Sequence, residues 1–141
     1  MLGAMLNRLR GYRRVFLPLE AAILAEVRSS LPEQVHPAFD DRLARINMIQ
    51  PILGGQEVNL YERHKGVILF PASSRILPTD DSIPIATVEL SSSDPMSRLK
   101  ARLYCGRGVL TSLEFDRPSE HAELETVTAM KVRVTPKLPW N

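Results

Sequence analysis

The most reactive side-chain type in this sequence occurs once, at Cys105, beside the turn Gly106-Arg107-Gly108. A thiol next to a cation and a glycine-rich turn is one arrangement for a nucleophile beside an anion-binding loop. A thiol of lowered pKa needs a helix N-terminus, a metal, a cation or a histidine beside it, and no histidine lies near Cys105 in the sequence. Cys105 also continues the apolar face of a predicted strand, which indicates a buried structural residue.

The turn itself is predicted to be the tip of a β-hairpin. Backbone amides that cradle an anion usually precede a helix, whereas a strand follows this turn. Glycine is expected at a tight hairpin turn because such turns require a positive φ. Arg107 is therefore predicted to be an exposed, projecting cation that a partner can contact.

The histidines and the acidic pairs form no pattern typical of catalysis or metal binding. His36, His64 and His121 fall in three separate predicted elements and are interpreted as exposed, with an approach of His64 to His121 left open. The pairs at 40–41 and 80–81 lack the ligand spacing and the glycine of a calcium loop. No serine-nucleophile, P-loop or dinucleotide motif occurs, so no cofactor and no metal is expected.

The densest polar stretch is EVNLYERHK, residues 57–65. Its polar side chains alternate along a predicted strand, and they share one face of the sheet with two charged residues of a neighbouring hairpin. A concave face would bind a small molecule or perform acid–base chemistry, whereas a flat face would bind a protein or be an ordinary strand exterior. The candidate site consists of Glu57, Asn59, Tyr61, Arg63, Arg102, Arg107 and Glu114.

Two helices are predicted ahead of the strands. The first spans Pro18–Ser30, with proline in its first turn, and the second spans residues 37–46. In the second, Phe39 and Ile46 mark the core face, and Arg42 is expected to face water together with the pair of Asp41 and Arg45, four residues apart.

After residue 46 the apolar residues alternate, which predicts strands. A hairpin turns at Gly54-Gly55, and Pro51 restricts its first arm to a sheet edge or a bulge. Further strands are predicted at 66–70, 83–92, 99–105, 109–115 and 126–136. In the strand that starts at Val109, Thr111 and Leu113 are expected on the core face. The expected fold is α+β, with N-terminal helices packed on a curved antiparallel β-meander of about five to six strands. This order of elements resembles the layouts of cystatin-like and NTF2-like proteins.

Residues 1–17 form a basic amphipathic segment whose apolar residues recur at helical spacing as far as Tyr12 and Phe16. The first 19 residues hold four arginines and no acid, a charge of +4, while the remainder holds 14 basic and 16 acidic residues, a charge of −2. The segment is interpreted either as a contact to anionic lipid or as an end that docks on its own domain. Met5 is an alternative start that would shorten it. The four arginines are Arg8, Arg10, Arg13 and Arg14.

Composition limits the possible classes of protein. The 141 residues suit one domain, expected over 18–141. No apolar run is long enough for a transmembrane helix, no signal peptide is evident, and one cysteine cannot form an internal disulfide, so a cytoplasmic location is expected. The slightly acidic body disfavours nucleic acid as a partner.

The function predicted from these observations is that of a non-enzymatic protein-binding module of a bacterial-type cytoplasm, adaptor or immunity-like. It would act through its polar sheet face and loops. The alternatives are an NTF2-like pocket enzyme or small-ligand carrier, and a membrane-peripheral component that acts through residues 1–16.

Overall fold

The computed structural model describes residues 11–141, in which two helices precede a set of antiparallel strands. Helix α1 spans Pro18–Ser30, as predicted, and helix α2 spans His36–Arg45. The strands are β1 Met48–Ile52, β2 Glu57–Tyr61, β3 Arg63–His64, β4 Val67–Ile68, β5 Ile83–Ser92, β6 Lys100–Gly106, β7 Val109–Phe115 and β8 Val127–Val134.

Six of the strands form one open sheet in the order β1-β2-β7-β6-β5-β8, and every neighbouring pair is antiparallel. This architecture confirms the predicted α+β class, with N-terminal helices on an antiparallel sheet. Strand β1, which contains Pro51, lies at one edge as predicted, and β8 lies at the other. The strand predicted at 66–70 is shorter, and it pairs with β3 in a separate small hairpin.

Both helices contribute to one hydrophobic core on one face of the sheet, here called the inner face. Ile23 and Val27 of α1 and Phe39 of α2 are almost fully buried. They belong to the same core as Leu103 and Leu113, whose side chains alternate with outward-facing polar residues. The opposite face, here called the outer face, therefore points away from both helices.

The described part of the N-terminal segment is not helical, and Arg13 within it pairs with the edge of the sheet. The backbone of Arg13 exchanges two hydrogen bonds of 2.7 Å with Ile49 of β1, in an antiparallel bridge. Its guanidinium donates to both carboxylate oxygens of Glu20, each at 2.9 Å, and the backbone amide of Leu17 also donates to Glu20. The helix predicted from this spacing is therefore wrong for residues 11–17, because edge pairing with β1 and an ion pair with α1 hold Arg13 in place. Arg8 and Arg10 lie outside the described residues.

The placement of Arg42 corrects a second expectation. Arg42 was expected to face water, yet it is 1% exposed and points into the core side of α2. Its position explains this, because Arg42 follows Phe39 by three residues and precedes Ile46 by four, which is the spacing of one helix face.

Strand β7 departs from simple alternation. Cys105 pairs with Leu110 whereas Tyr104 pairs with Ser112, so Thr111 is an extra residue in a β-bulge. Leu110 is consequently buried in the core, and Thr111 is only partly buried. The expected core position of Thr111 is therefore wrong, whereas that of Leu113, beyond the bulge, is right.

Candidate functional site

The outer face brings most of the predicted site residues onto one surface. Glu57 lies opposite Glu114, and Glu114 lies opposite Arg102, so three strands place these charges in one row. The predicted neighbours Arg102 and Glu114 are thus paired in register. Asn59 lies in the next row, opposite Ser112.

The first row continues across the sheet to its other edge. Arg102 lies opposite Thr87 of β5, and Thr87 lies opposite Arg133 of β8. A parallel row two residues away places Lys100 opposite Glu89, and Glu89 opposite Lys131. The outer face therefore has an acidic half around Glu57 and Glu114 and a more basic half toward β8.

The basic half forms a groove of about 240 Å³. Four cations and one acid line it, and the closest charged contact, between Lys100 Nζ and Glu89 Oε1, is 4.0 Å. The excess of positive charge favours a negatively charged partner. The lining residues are Thr87, Glu89, Lys100, Arg102, Lys131 and Arg133.

Two aromatic side chains complete the outer face. Tyr61 ends β2, opposite Met48, and Tyr104 lies beside Ser112. Both tyrosines are partly buried, so part of each residue is exposed. Tyrosine and arginine are the residue types enriched in the centres of protein interfaces.

Arg107 lies at the β6–β7 turn, away from the rows described above. It is exposed, as predicted, and its guanidinium carbon lies 4.8 Å from the centre of the Phe70 ring, a cation–π contact. Arg107 and Gly108 both have positive φ, at 52° and 81°, which fits the predicted tight hairpin turn. The backbone carbonyl of Leu77 lies 2.5 Å from where a side chain on Gly108 would begin, so glycine is required there.

Cys105 is fully buried beneath this turn. Burial raises the pKa of its thiol to about 12, and the charge of Arg42 opposes that shift only in part. At neutral pH the thiolate is therefore scarce, which agrees with the interpretation of Cys105 as a structural residue.

A buried charge cluster that was not predicted from the sequence lies between α2 and the end of β2. The guanidinium of Arg42 donates to the backbone carbonyls of Leu110 at 2.8 Å, Leu60 at 3.2 Å and Leu69 at 3.4 Å. Burial lowers the pKa of Arg42, and the negative charge of Glu62 opposes that shift. The helical spacing of Arg42 with Phe39 was the signal that could have identified it.

Glu62 is the acidic member of this cluster and is 2% exposed. Its Oε2 lies 3.1 Å from His64 Nε2 and 3.5 Å from Arg45 Nη1. Within residues 11–141 its Oε1 has no hydrogen-bond partner. Arg45 also pairs with Asp41 at 2.9 Å, as predicted, and hydrogen bonds from Ser74 and Ser73 lower the pKa of Asp41.

The remaining histidines have separate partners. His36 Nε2 lies 3.0 Å from the Leu31 carbonyl oxygen, and His121 lies 3.4 Å from Glu120. His64 and His121 thus contact different carboxylates. In the described part of the chain, no group of three or more His, Cys, Asp or Glu side chains is arranged to hold a metal ion.

No family model matches the chain, and neither a search of curated proteins nor a search of solved structures gives a significant match. Over residues 11–141, neither helix has the length and apolar character that crossing a bilayer requires.

Proposed function

We propose that this chain is a non-enzymatic protein-binding module, adaptor or immunity-like, that binds an acidic protein through its outer face. The observation that carries the proposal is that both helices pack on the inner face, so the rows of charged residues on the outer face stay uncovered. An uncovered polar sheet face with partly buried tyrosines has the composition of a protein interface.

The layout of charge supports a specific orientation of the partner. Arg102 and Arg133 are two strands apart, about 10 Å, and the row of Lys100 and Lys131 lies about 7 Å further along the strands. An acidic surface would meet the four cations, while Glu57 at the other end of its row would repel it. Complementary charge of this kind speeds association and fixes the register of binding.

The pocket alternative is less well supported. Glu57, Asn59 and Tyr61 line an open sheet face, which favours a binding surface over the enclosed site of an NTF2-like enzyme or ligand carrier. The carboxylates of Glu57, Glu89 and Glu114 on the same face disfavour a nucleic-acid backbone.

We propose a bacterial-type cytoplasm as the location, where a single reduced, buried cysteine is usual.

A photo-crosslinking amino acid at Thr87, in the middle of the basic groove, tests this proposal. The matched control places the same amino acid at Ser29, which is exposed on α1. We expect one acidic protein from the native lysate to crosslink at Thr87 and not at Ser29. Arg102→Glu together with Arg133→Glu should abolish that crosslink. Equal crosslinking at both positions, or a crosslink that survives the charge reversal, would show that the outer face is not the interface.

A further inference from the structure

A second, separate cavity lies at the β1 edge of the outer face, and its charge points to a ligand. It has a volume of about 250 Å³ and is lined by three cations, Arg14, Arg63 and Lys65, together with Tyr12 and Asn47. Among residues 11–141, none of those that line it is acidic. This is a volume for a compact group rather than for a drug-sized ligand.

The first wall of this cavity is set by the bridge between Arg13 and Ile49. Ile49 is an inner-face residue and is fully buried, and the side chain of Arg13 accordingly reaches Glu20 of α1. In an extended segment the neighbouring side chains point the opposite way. Tyr12 and Arg14 therefore lie on the outer side of the sheet, where both line the cavity.

The second wall is the β3–β4 hairpin, which Asn47 holds in place. The Asn47 side chain donates to the Arg63 carbonyl at 2.9 Å and accepts from the Arg63 amide at 2.8 Å. Lys65 and Gly66 form the turn of the hairpin, with φ of 50° and 79°. These two bonds fix the backbone that carries Arg63 and Lys65, so the hairpin wall is formed before any ligand arrives.

Arg63 and Lys65 differ from several other cations of the described chain in that they have no carboxylate nearby. Several other cations are matched by carboxylates, as in the pairs of Arg28 with Asp40 and Arg75 with Asp80. In contrast, no carboxylate within residues 11–141 lies within 4.0 Å of the charged nitrogens of Arg63 or Lys65. Like charges gathered at one small cavity are relieved when an anion binds among them.

A phosphate group fits this set of side chains best. Arginine presents a planar fork of donors that matches phosphate oxygens, and lysine adds a point charge. The Tyr12 hydroxyl and the Asn47 amide are further polar groups of the lining. The ten residues that precede Gly11 add Arg8 and Arg10 and no acid, so the adjoining sequence has the same sign of charge.

We propose that this cavity binds a phosphate monoester, carried either by an anionic lipid headgroup or by a soluble phosphorylated small molecule. The site is independent of the protein-binding groove, since the two share no lining residue.

The test uses the full chain and two probes. The lipid probe is a vesicle of phosphatidylcholine with and without phosphatidic acid, and the soluble probe is glycerol 3-phosphate, followed by NMR shifts of the Asn47 and Lys65 amides. The test variant is Arg63→Gln with Lys65→Gln. The control, Arg117→Gln with Lys137→Gln, removes the same charge from residues that line neither the cavity nor the basic groove. All four side chains belong to exposed residues, and thermal unfolding of each variant checks that it folds.

We expect the test variant to bind phosphatidic acid vesicles roughly 30-fold more weakly, because each cation near an anionic surface contributes about fivefold. The control variant should bind nearly as well as the wild type. Saturable NMR shifts with glycerol 3-phosphate, lost in the test variant, would support a soluble ligand. Vesicle binding without those shifts would support a lipid headgroup. Equal loss in both variants, or binding to neither probe by the wild type, would overturn the proposal.

Discussion

Arg42 is the residue whose replacement tests the structure most severely. A buried guanidinium that donates to the carbonyls of Leu60, Leu69 and Leu110 ties together three segments that are distant in the sequence. Replacement by methionine, which has a similar length and no charge, removes these three bonds and leaves buried carbonyl oxygens without this donor.

The expected size of the effect follows from those lost hydrogen bonds. A buried acceptor that loses its donor costs about 1–3 kcal/mol, so the two shorter bonds together should contribute about 2–6 kcal/mol of unfolding free energy. That is a large part of the roughly 5–15 kcal/mol that stabilises a typical domain. Arg42→Lys keeps the charge but cannot reach three carbonyls at once, so its loss should be intermediate. Because the negative charge of Glu62 favours the ionised form of Arg42, the effects of Arg42→Met and Glu62→Gln on unfolding free energy should not be additive.

Equilibrium unfolding in urea measures these differences, with far-UV circular dichroism as the probe. Arg28→Met serves as the control, because Arg28 pairs with Asp40 at the surface, and we expect its midpoint to stay close to that of the wild type. A loss below about 1 kcal/mol for Arg42→Met, or effects of Arg42 and Glu62 that simply add, would refute the buried charge cluster.

Three further predictions follow from burial and protonation. Leu103→Asp and Leu113→Asp should each abolish the cooperative unfolding transition in circular dichroism, because each buries an unpaired carboxylate in the core. Cys105→Ala should leave partner binding unchanged, and iodoacetamide should label the wild-type thiol only in denaturant; rapid labelling of the folded protein would contradict its burial. Because hydrogen bonds lower the pKa of Asp41 in the folded state, its contribution is complete above about pH 4 and is lost as the pH falls further. The stability difference between the wild type and Asp41→Asn should therefore shrink on acidification, as measured by urea unfolding at several pH values.

Local patterns in the sequence were sufficient to predict secondary structure and the buried face where one residue type or one period dominates. The proline at position 18 and the helical spacing after it predicted the bounds of α1. The alternation of Leu103 and Cys105 identified the inner face of β6, and Pro51 identified an edge strand. In each case the local backbone preference and the burial of the side chains predict the same structure.

Features that depend on distant segments were not predictable in this way. Arg42 was assigned to the surface because a charged side chain is rarely buried, and its partners come from β2, β7 and the segment after β4. The bulge at Thr111 shifts which residues of β7 face the core, and strict alternation carries no sign of an extra residue. The bridge of Arg13 to β1 overrode a helical pattern because the edge strand supplied partners for the Arg13 backbone.

The same contacts link the buried cluster to the cationic cavity. Two of the carbonyls that bind Arg42 belong to Leu60 and Leu69, which flank the β3–β4 hairpin on its two sides. The Leu69 amide also donates to the Glu62 carbonyl at 2.9 Å, which closes the base of that hairpin. Arg42 therefore supports the base of the β3–β4 hairpin, which Asn47 also holds at Arg63. Glu62, whose Oε1 has no hydrogen-bond partner within residues 11–141, lies at this base. Burial of the Arg42 charge costs desolvation free energy. That cost is explained if Arg42 has to position a hairpin that holds the like charges of Arg63 and Lys65 close together.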